Sequence, residues 1–289
     1  MPGSGRDGER GETMKSNKML RVVNYLFVAL MLIVSLFPIY WMLNTSLKSQ
    51  GEIYAKIPTM YPHKFSLEAY RYLLTETSFV SGLKNSLIIA VFVSAFSILV
   101  AYPAAYAIAR IKFKGRRMYS KTVLFTYLLP TCVLYIPLYM FVSTLKLSNS
   151  IYGLMLIYPT FTLPYVAWIL IPHIASVPVE LEEAARVDGC SRIGTMYRIV
   201  FPLALPGIIS TTIFAFAMCW GEYLYALVNV SSKEVQTFPL ILSAIIYGDM
   251  PAWNQLMAGA IVACIPILCI YILSNSALVG GKTAGGVKQ

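Results

Sequence analysis

Read from the amino end, the chain alternates long apolar runs with short polar and basic segments. A helix needs about 20 apolar residues to cross the hydrocarbon core of a bilayer. Six runs reach that length: Val22–Met42, Ser86–Ala109, Thr122–Thr144, Ile151–Ile174, Gly207–Val230 and Leu256–Val279. Strands of alternating polarity are absent, so the pattern predicts an all-α membrane protein with six transmembrane helices and excludes a β-barrel. Proline interrupts these runs at Pro38, Pro103, Pro130, Pro137, Pro159, Pro164 and Pro266. Each removes a backbone donor and kinks its helix, which suits either ordinary packing bends or helices lining a moving pathway.

Charge orients the spans. Sixteen of the 23 Lys and Arg fall in the N-terminal segment, the loops after spans two and four, and the C-terminal tail. The remaining seven lie on the other side, mostly in the long first loop. Positive charge marks the cytoplasmic side, so both termini are predicted to be cytoplasmic. The formal net charge of +10 is spread in short blocks between apolar runs, which orients a membrane protein and argues against a nucleic-acid partner. With 57% hydrophobic and 12% charged residues among 289, the chain must present much of its surface to the lipid bilayer. Residues 1–18 read as a disordered extension, with Met14 as a natural start and the stretch ahead of it as a leader. Residues 19–279 form the six-helix domain, 175–204 its cytoplasmic loop, and 280–289 a cytoplasmic tail.

Candidate chemistry is sparse. Cys132, Cys190, Cys219, Cys264 and Cys269 form no C-x-x-C pair, and His63 and His173 lie far apart, so no metal site is expected. Gly281-Lys282-Thr283 looks like the end of a phosphate loop, but its first glycine position holds Ser276 and no strand precedes it. No nucleophile–base pair appears, so no catalytic residue is assigned and the chain is not expected to be an enzyme.

The loop after span four is the most informative stretch. Pro178 suits a first helical turn, and Glu180, Glu182 and Glu183 lie where a helix dipole favours acids. Gly189 is placed to stop that helix and Ser191 to cap a second one, closed by Pro202. Ile193, Met196, Tyr197 and Val200 recur at helical spacing as one apolar face. Two readings follow: a compact helix pair inserted into a groove on a partner, or an interfacial helix lying on the membrane.

Glu183-Ala184-Ala185, then Asp188-Gly189, then Ile199 and Pro202, match the spacing of the EAA loop of ATP-binding-cassette importer permeases, with Phe201 where that family usually has Leu. Phe37-Pro-Ile-Tyr-Trp-Met-Leu-Asn-Thr-Ser-Leu-Lys48, Asn85-Ser-Leu87, Ala105-Tyr-Ala-Ile-Ala-Arg110 and the tail Thr283–Lys288 resemble the smaller permease subunit of maltose-type carbohydrate importers. The resemblance covers the chain from about Met19 onward. It implies the type I importer permease fold in a bacterial inner membrane, and a pathway shared with a second permease subunit. It further implies two ATPase subunits that bind ATP and Mg, with no cofactor in this chain, and an extracytoplasmic binding protein that delivers a sugar or related polyol. Carried over to this sequence, Glu183, Ala184, Ala185, Asp188 and Gly189 form the coupling helix, continued by Ile193, Met196 and Tyr197.

Two weaker sites remain. Glu222 is the only acid inside a predicted span, and Trp220, Tyr223 and Tyr225 beside it are either solute-stacking aromatics or members of an interfacial belt. The segment from Ser231 to Asn254, with Phe238, Tyr247 and Trp253, reads as a loop reaching into the binding protein or as a re-entrant or surface loop. A permease for peptides, phosphate or amino acids is the rival within the family. A stand-alone secondary transporter would be expected to show intramembrane charges or an inverted repeat and leaves the EAA loop unexplained.

Overall fold

The computed structural model describes residues 6–247 and 250–283, with side chains from 21 to 246 and from 250 to 274. Its helices in chain order are α1 (Arg6–Ser46), α2 (Gln50–Ile53), α3 (Glu68–Thr75), α4 (Phe79–Arg110), α5 (Arg116–Leu128), α6 (Tyr135–Thr144), α7 (Ile151–Ile157) and α8 (Pro159–Ala175). They continue as α9 (Val179–Val187), α10 (Arg192–Thr195), α11 (Phe201–Trp220), α12 (Leu224–Asn229), α13 (Phe238–Ala244) and α14 (Trp253–Thr283). No strand occurs among the described residues.

Among the described residues, five helical stretches are long and apolar enough to cross a membrane: Arg21–Ser46, Phe79–Arg110, Ile151–Ala175, Arg192–Trp220 and Trp253–Ser274. The expected third span is broken. Arg116–Leu128 and Thr131–Thr144 meet at 87°, and counting that pair as one gives six. The cause is local. Leu129 precedes a proline, is driven out of the helical region, and sits extended at φ −64° and ψ 133°. The expected fifth span is also shifted, because the helical stretch begins at Arg192 and stops at Trp220. At the amino end the backbone is helical from Arg6, where an irregular extension was expected, and residues 1–5 lie outside the described residues. Once a span provides a helical nucleus, each further residue adds one hydrogen bond, so the helix runs on.

The chain divides into two compact units. The first comprises residues 6–70 and 253–261. Its α1 carries apolar side chains on every face, and none of its apolar window is buried among the described residues. Beyond α1 the loop is tied by polar contacts. Lys48 Nζ donates to the Thr59 carbonyl, and the Thr59 hydroxyl donates to Glu52 at 2.7 Å. Glu52 also accepts from the His63 amide at 3.0 Å, which holds its carboxyl below the usual carboxylate range.

The second unit, residues 71–252 and 262–283, is organised around α4, α8 and α11. The buried face of α4 is lined by small residues, Ser86, Ala90, Ser94, Ser97, Ala101 and Ala105, at spacings of three and four. Small side chains let helix backbones approach, and Ser97 Oγ meets Thr162 Oγ1 on α8 at 2.7 Å. Towards the carboxyl end of α4 the face changes to Tyr102 and Tyr106, which pack with Leu170, Ile174, Val200 and Ala204. The segment after α12 folds back on the other end of α4. Asn85 Nδ2 donates to the carbonyls of Glu234 and Gln236, each at 2.9 Å, and Phe238 N donates to Ser86 Oγ at 3.1 Å.

One close approach is a steric requirement. A Cβ at Gly153 in α7 would lie 2.3 Å from the Leu147 carbonyl oxygen and 2.9 Å from Val142 Cγ1. Gly153→Ala is therefore expected to destabilise the folded chain by about 1–3 kcal/mol, the usual cost of overpacking. Thermal unfolding in detergent, beside a Gly51→Ala control where nothing lies within 4 Å, checks this.

Candidate functional site

The segment between α8 and α11 is shaped by short-range chemistry. Pro178 caps α9, whose first turn carries Glu180 and Glu182. The helix ends in a Schellman turn: Cys190 N donates to the Ala185 carbonyl at 2.9 Å, and Gly189 N to the Arg186 carbonyl at 3.1 Å. Gly189 sits at φ +89° with open space where a Cβ would go, so its requirement is conformational. Ser191 Oγ then accepts from Gly194 N at 3.1 Å and caps α10. The two short helices joined at a glycine are as expected. Pro202, however, does not close the second helix. A π-helical turn over Met196–Val200 carries the chain straight into α11, with proline in that helix's first turn. A widened turn accommodates the proline, which cannot donate to a preceding carbonyl.

The segment has two sides. Glu183, Ala184, Val187, Asp188, Gly189, Ile193 and Tyr197 are exposed, with Val187 at 88% and Ile193 at 69%. Ala185 and Met196, expected on the docking face, are instead buried with Glu182, Thr195 and Val200. The predicted apolar face from Ile193 to Val200 is therefore split, because the π turn changes the angular step between residues.

The buried side is held by α4. Tyr102, Tyr106 and Arg110 stand four residues apart, on one face of that helix. The Tyr102 hydroxyl donates to the Met196 carbonyl at 2.7 Å, and the Tyr106 hydroxyl donates to Glu182 Oε2 at 2.8 Å. Arg110 Nε lies 2.6 Å from Glu182 Oε1, an ion pair approached off the N–H axis. Arg110 Nη2 also donates to the carbonyls of Ile174, at 2.9 Å, and Val177, capping the end of α8. Glu182 and this grip were missed from the sequence. The signal was present as an arginine closing a long apolar run, which requires a nearby acid or carbonyls once buried.

The second group of candidates is placed differently. Glu222 lies just beyond the carboxyl end of α11. It accepts from the Tyr158 hydroxyl at 2.9 Å, Tyr225 N at 2.7 Å and Ala226 N at 3.2 Å, which caps α12. Trp220 is buried against Phe216 and Phe238, and its Nε1 donates to the Ala263 carbonyl at 3.0 Å. Tyr225 is buried against Tyr135 and Phe161. Tyr223 and Glu222 are partly exposed. Trp220 and Tyr225 therefore pack the interior, and the structure does not offer their rings to a solute. Phe238 is likewise buried, contrary to a surface contact. The Tyr247 side chain lies outside the described residues, as does the tail 284–289. Trp253 is exposed and, with Trp41, Lys48, Glu52 and Thr59, lines a cavity of about 320 Å³ in the first unit.

A family model described as binding-protein-dependent transport system inner membrane component matches residues 97–280. The chain is 35% identical over 277 residues to the diacetylchitobiose uptake system permease protein of Streptomyces coelicolor, spanning 95% of this chain and 100% of that one. It is 32% identical over 284 residues to the trehalose/maltose transport system permease protein of Thermococcus litoralis, covering 95% and 99% of the two. An inner membrane ABC transporter permease protein of Escherichia coli is 33% identical over 279 residues, with 95% and 100% covered. The fold is that of a chain in a crystal structure of a bacterial ABC transporter for alginate import, with a TM-score of 0.74 at 20% identity, over 90% of this chain and 97% of that one.

Trp220→Phe keeps an aromatic ring but leaves the Ala263 carbonyl without its donor. The expected cost is about 1–3 kcal/mol of stability. Thermal unfolding of the purified protein should register it, while the KM for transported solute stays unchanged because the indole faces the interior.

Proposed function

The chain belongs to the family of inner membrane components of binding-protein-dependent transport systems, and from that membership we propose that it forms part of the pathway of an ATP-driven sugar importer. It is a multi-pass inner membrane protein. The relatives named above take up diacetylchitobiose and trehalose or maltose, and a further one, 33% identical over 274 residues, serves sulfoquinovosyl glycerol in Agrobacterium fabrum. A glycosidic solute is the chemistry these share.

The observation that carries the reading is the exposed side of α9 and α10. Val187 and Ile193 project apolar side chains from a short helix pair fixed at a Schellman turn, and Glu183 and Asp188 stand beside them. Apolar side chains left out on a connecting segment mark a docking face. The charge of the basic loops supports a cytoplasmic position for this segment. We assign its partner as one of two ATPase subunits, which bind ATP and Mg, with Val187 and Ile193 in a groove and the acids paired to basic residues at its rim. A second permease subunit completes the pathway and covers part of α1. An extracytoplasmic binding protein delivers the solute.

The mechanism follows from where the segment leads. Its amino end continues into α8 through Val177 and Pro178, and its carboxyl end passes through the π turn into α11. Displacement of the docked helices therefore reaches two core spans directly. ATP can move the permease between its two access states only if the ATPase pair binds one state more tightly than the other. The docking face is where that difference is applied.

Val187→Asp and Ile193→Asp place a charge in the proposed groove while leaving the buried side intact. Tagged chain is purified together with its operon partners. The unsubstituted chain is expected to bring down an ATPase and a second permease, and the double variant to lose the ATPase alone. Equal recovery of the ATPase with both chains contradicts the assignment.

A further inference from the structure

Covalent connection explains how α9 is joined to α8 and α11, but α4 is joined to neither side of the segment in sequence. Its carboxyl half nonetheless grips the segment at three points. Tyr102 holds the carbonyl of Met196 in the π turn, Tyr106 and Arg110 hold the Glu182 carboxylate inside α9, and Arg110 ties the end of α8. Both partners of the ion pair are largely buried, with side-chain exposures of 12% for Arg110 and 8% for Glu182. An acid this buried costs free energy unless paired and hydrogen-bonded, so simple tethering of a loop does not need one. An aligned set of bonds along one helix face gives rigidity and direction.

We propose that Tyr106, Arg110 and Glu182 are positioning residues of a latch that makes α4 travel with the docking helix. Force from the ATPase then enters the permease through the second span as well as through the fourth and fifth. The latch rests on the coupling assignment above and deepens it. Glu182 is buried against α4 whereas Val187 and Ile193 are exposed, so the latch can be opened without altering the docking surface.

Glu182→Gln keeps the size of the side chain and an acceptor for the Tyr106 hydroxyl, and removes the charge that meets Arg110. In the complete transporter reconstituted in proteoliposomes, the ATPase is expected to remain bound. The solute moved per ATP hydrolysed is expected to fall about fivefold or more, the lower end of ordinary coupling free energies. A general loss of stability lowers uptake and hydrolysis together and leaves that ratio in place. An assembled Glu182→Gln transporter with an unchanged ratio overturns the latch. Should the variant fail to assemble, the native latch is read instead, with spin labels at exposed Ala104 on α4 and Glu180 on α9. The same distance in nucleotide-free and ATP-trapped transporter supports a rigid latch, and a shift beyond the spread of the labels overturns it. Absence of any ATPase from the unsubstituted complex overturns the coupling assignment and the latch together, whereas the other adverse results remove the latch alone.

Discussion

A carboxylate buried at the end of a helical bundle has to be neutralised where it stands, and the surroundings of Glu182 follow from that demand. Arg110 and Tyr106 meet it from α4, and Arg110 Nη2 donates to the carbonyls of Ile174 and Val177 at the end of α8. Breaking such a pair by removing one partner costs about 3–5 kcal/mol, because an uncompensated charge is left behind. The orientation of α9 is therefore set from its buried side. Its exposed side is free to be apolar, with Val187 and Ile193 largely exposed among the described residues. Close packing of α4 on α8 through a face of Ser and Ala keeps the two helices near enough for the grip to be made.

The division of labour along α4 is consistent with that picture. Its amino half uses Asn85 and Ser86 to hold the segment before α13, and its carboxyl half uses Tyr102, Tyr106 and Arg110 to hold the segment after α8. One helix thus ties together the connections at its two ends. Two of the four stretches that resemble the carbohydrate permeases, Asn85-Ser-Leu87 and Ala105–Arg110, fall on these holding points.

The spans were legible because apolar length is a one-dimensional signal, and the Gly189 turn was legible because Gly and Ser have local roles. What the sequence did not disclose depended on direction. Met196 looks like a member of an exposed face until the π turn rotates the chain, and Glu182 looks like a dipole-facing acid until α4 is placed beside it. The bend after Leu128 needed Pro130 to act on its predecessor, a two-residue effect that a hydropathy window averages away. Trp220, Tyr225 and Phe238 carry the residue types of a solute or partner contact, but their rings are enclosed by Phe216, Tyr135 and Phe161. Aromatic identity says nothing about which neighbour a ring meets.

The exposed face of α9 and α10 is proposed to seat against an ATPase inside the cell. Site-specific photocrosslinking from position 187 in intact cells tests it, since that side chain is 88% exposed while the ion pair is buried. A crosslinked product containing an ATP-binding-cassette ATPase is the predicted result. A product containing only lipid, or an extracytoplasmic protein, would contradict the account, because the docking face would then lie against the membrane or on its outer side.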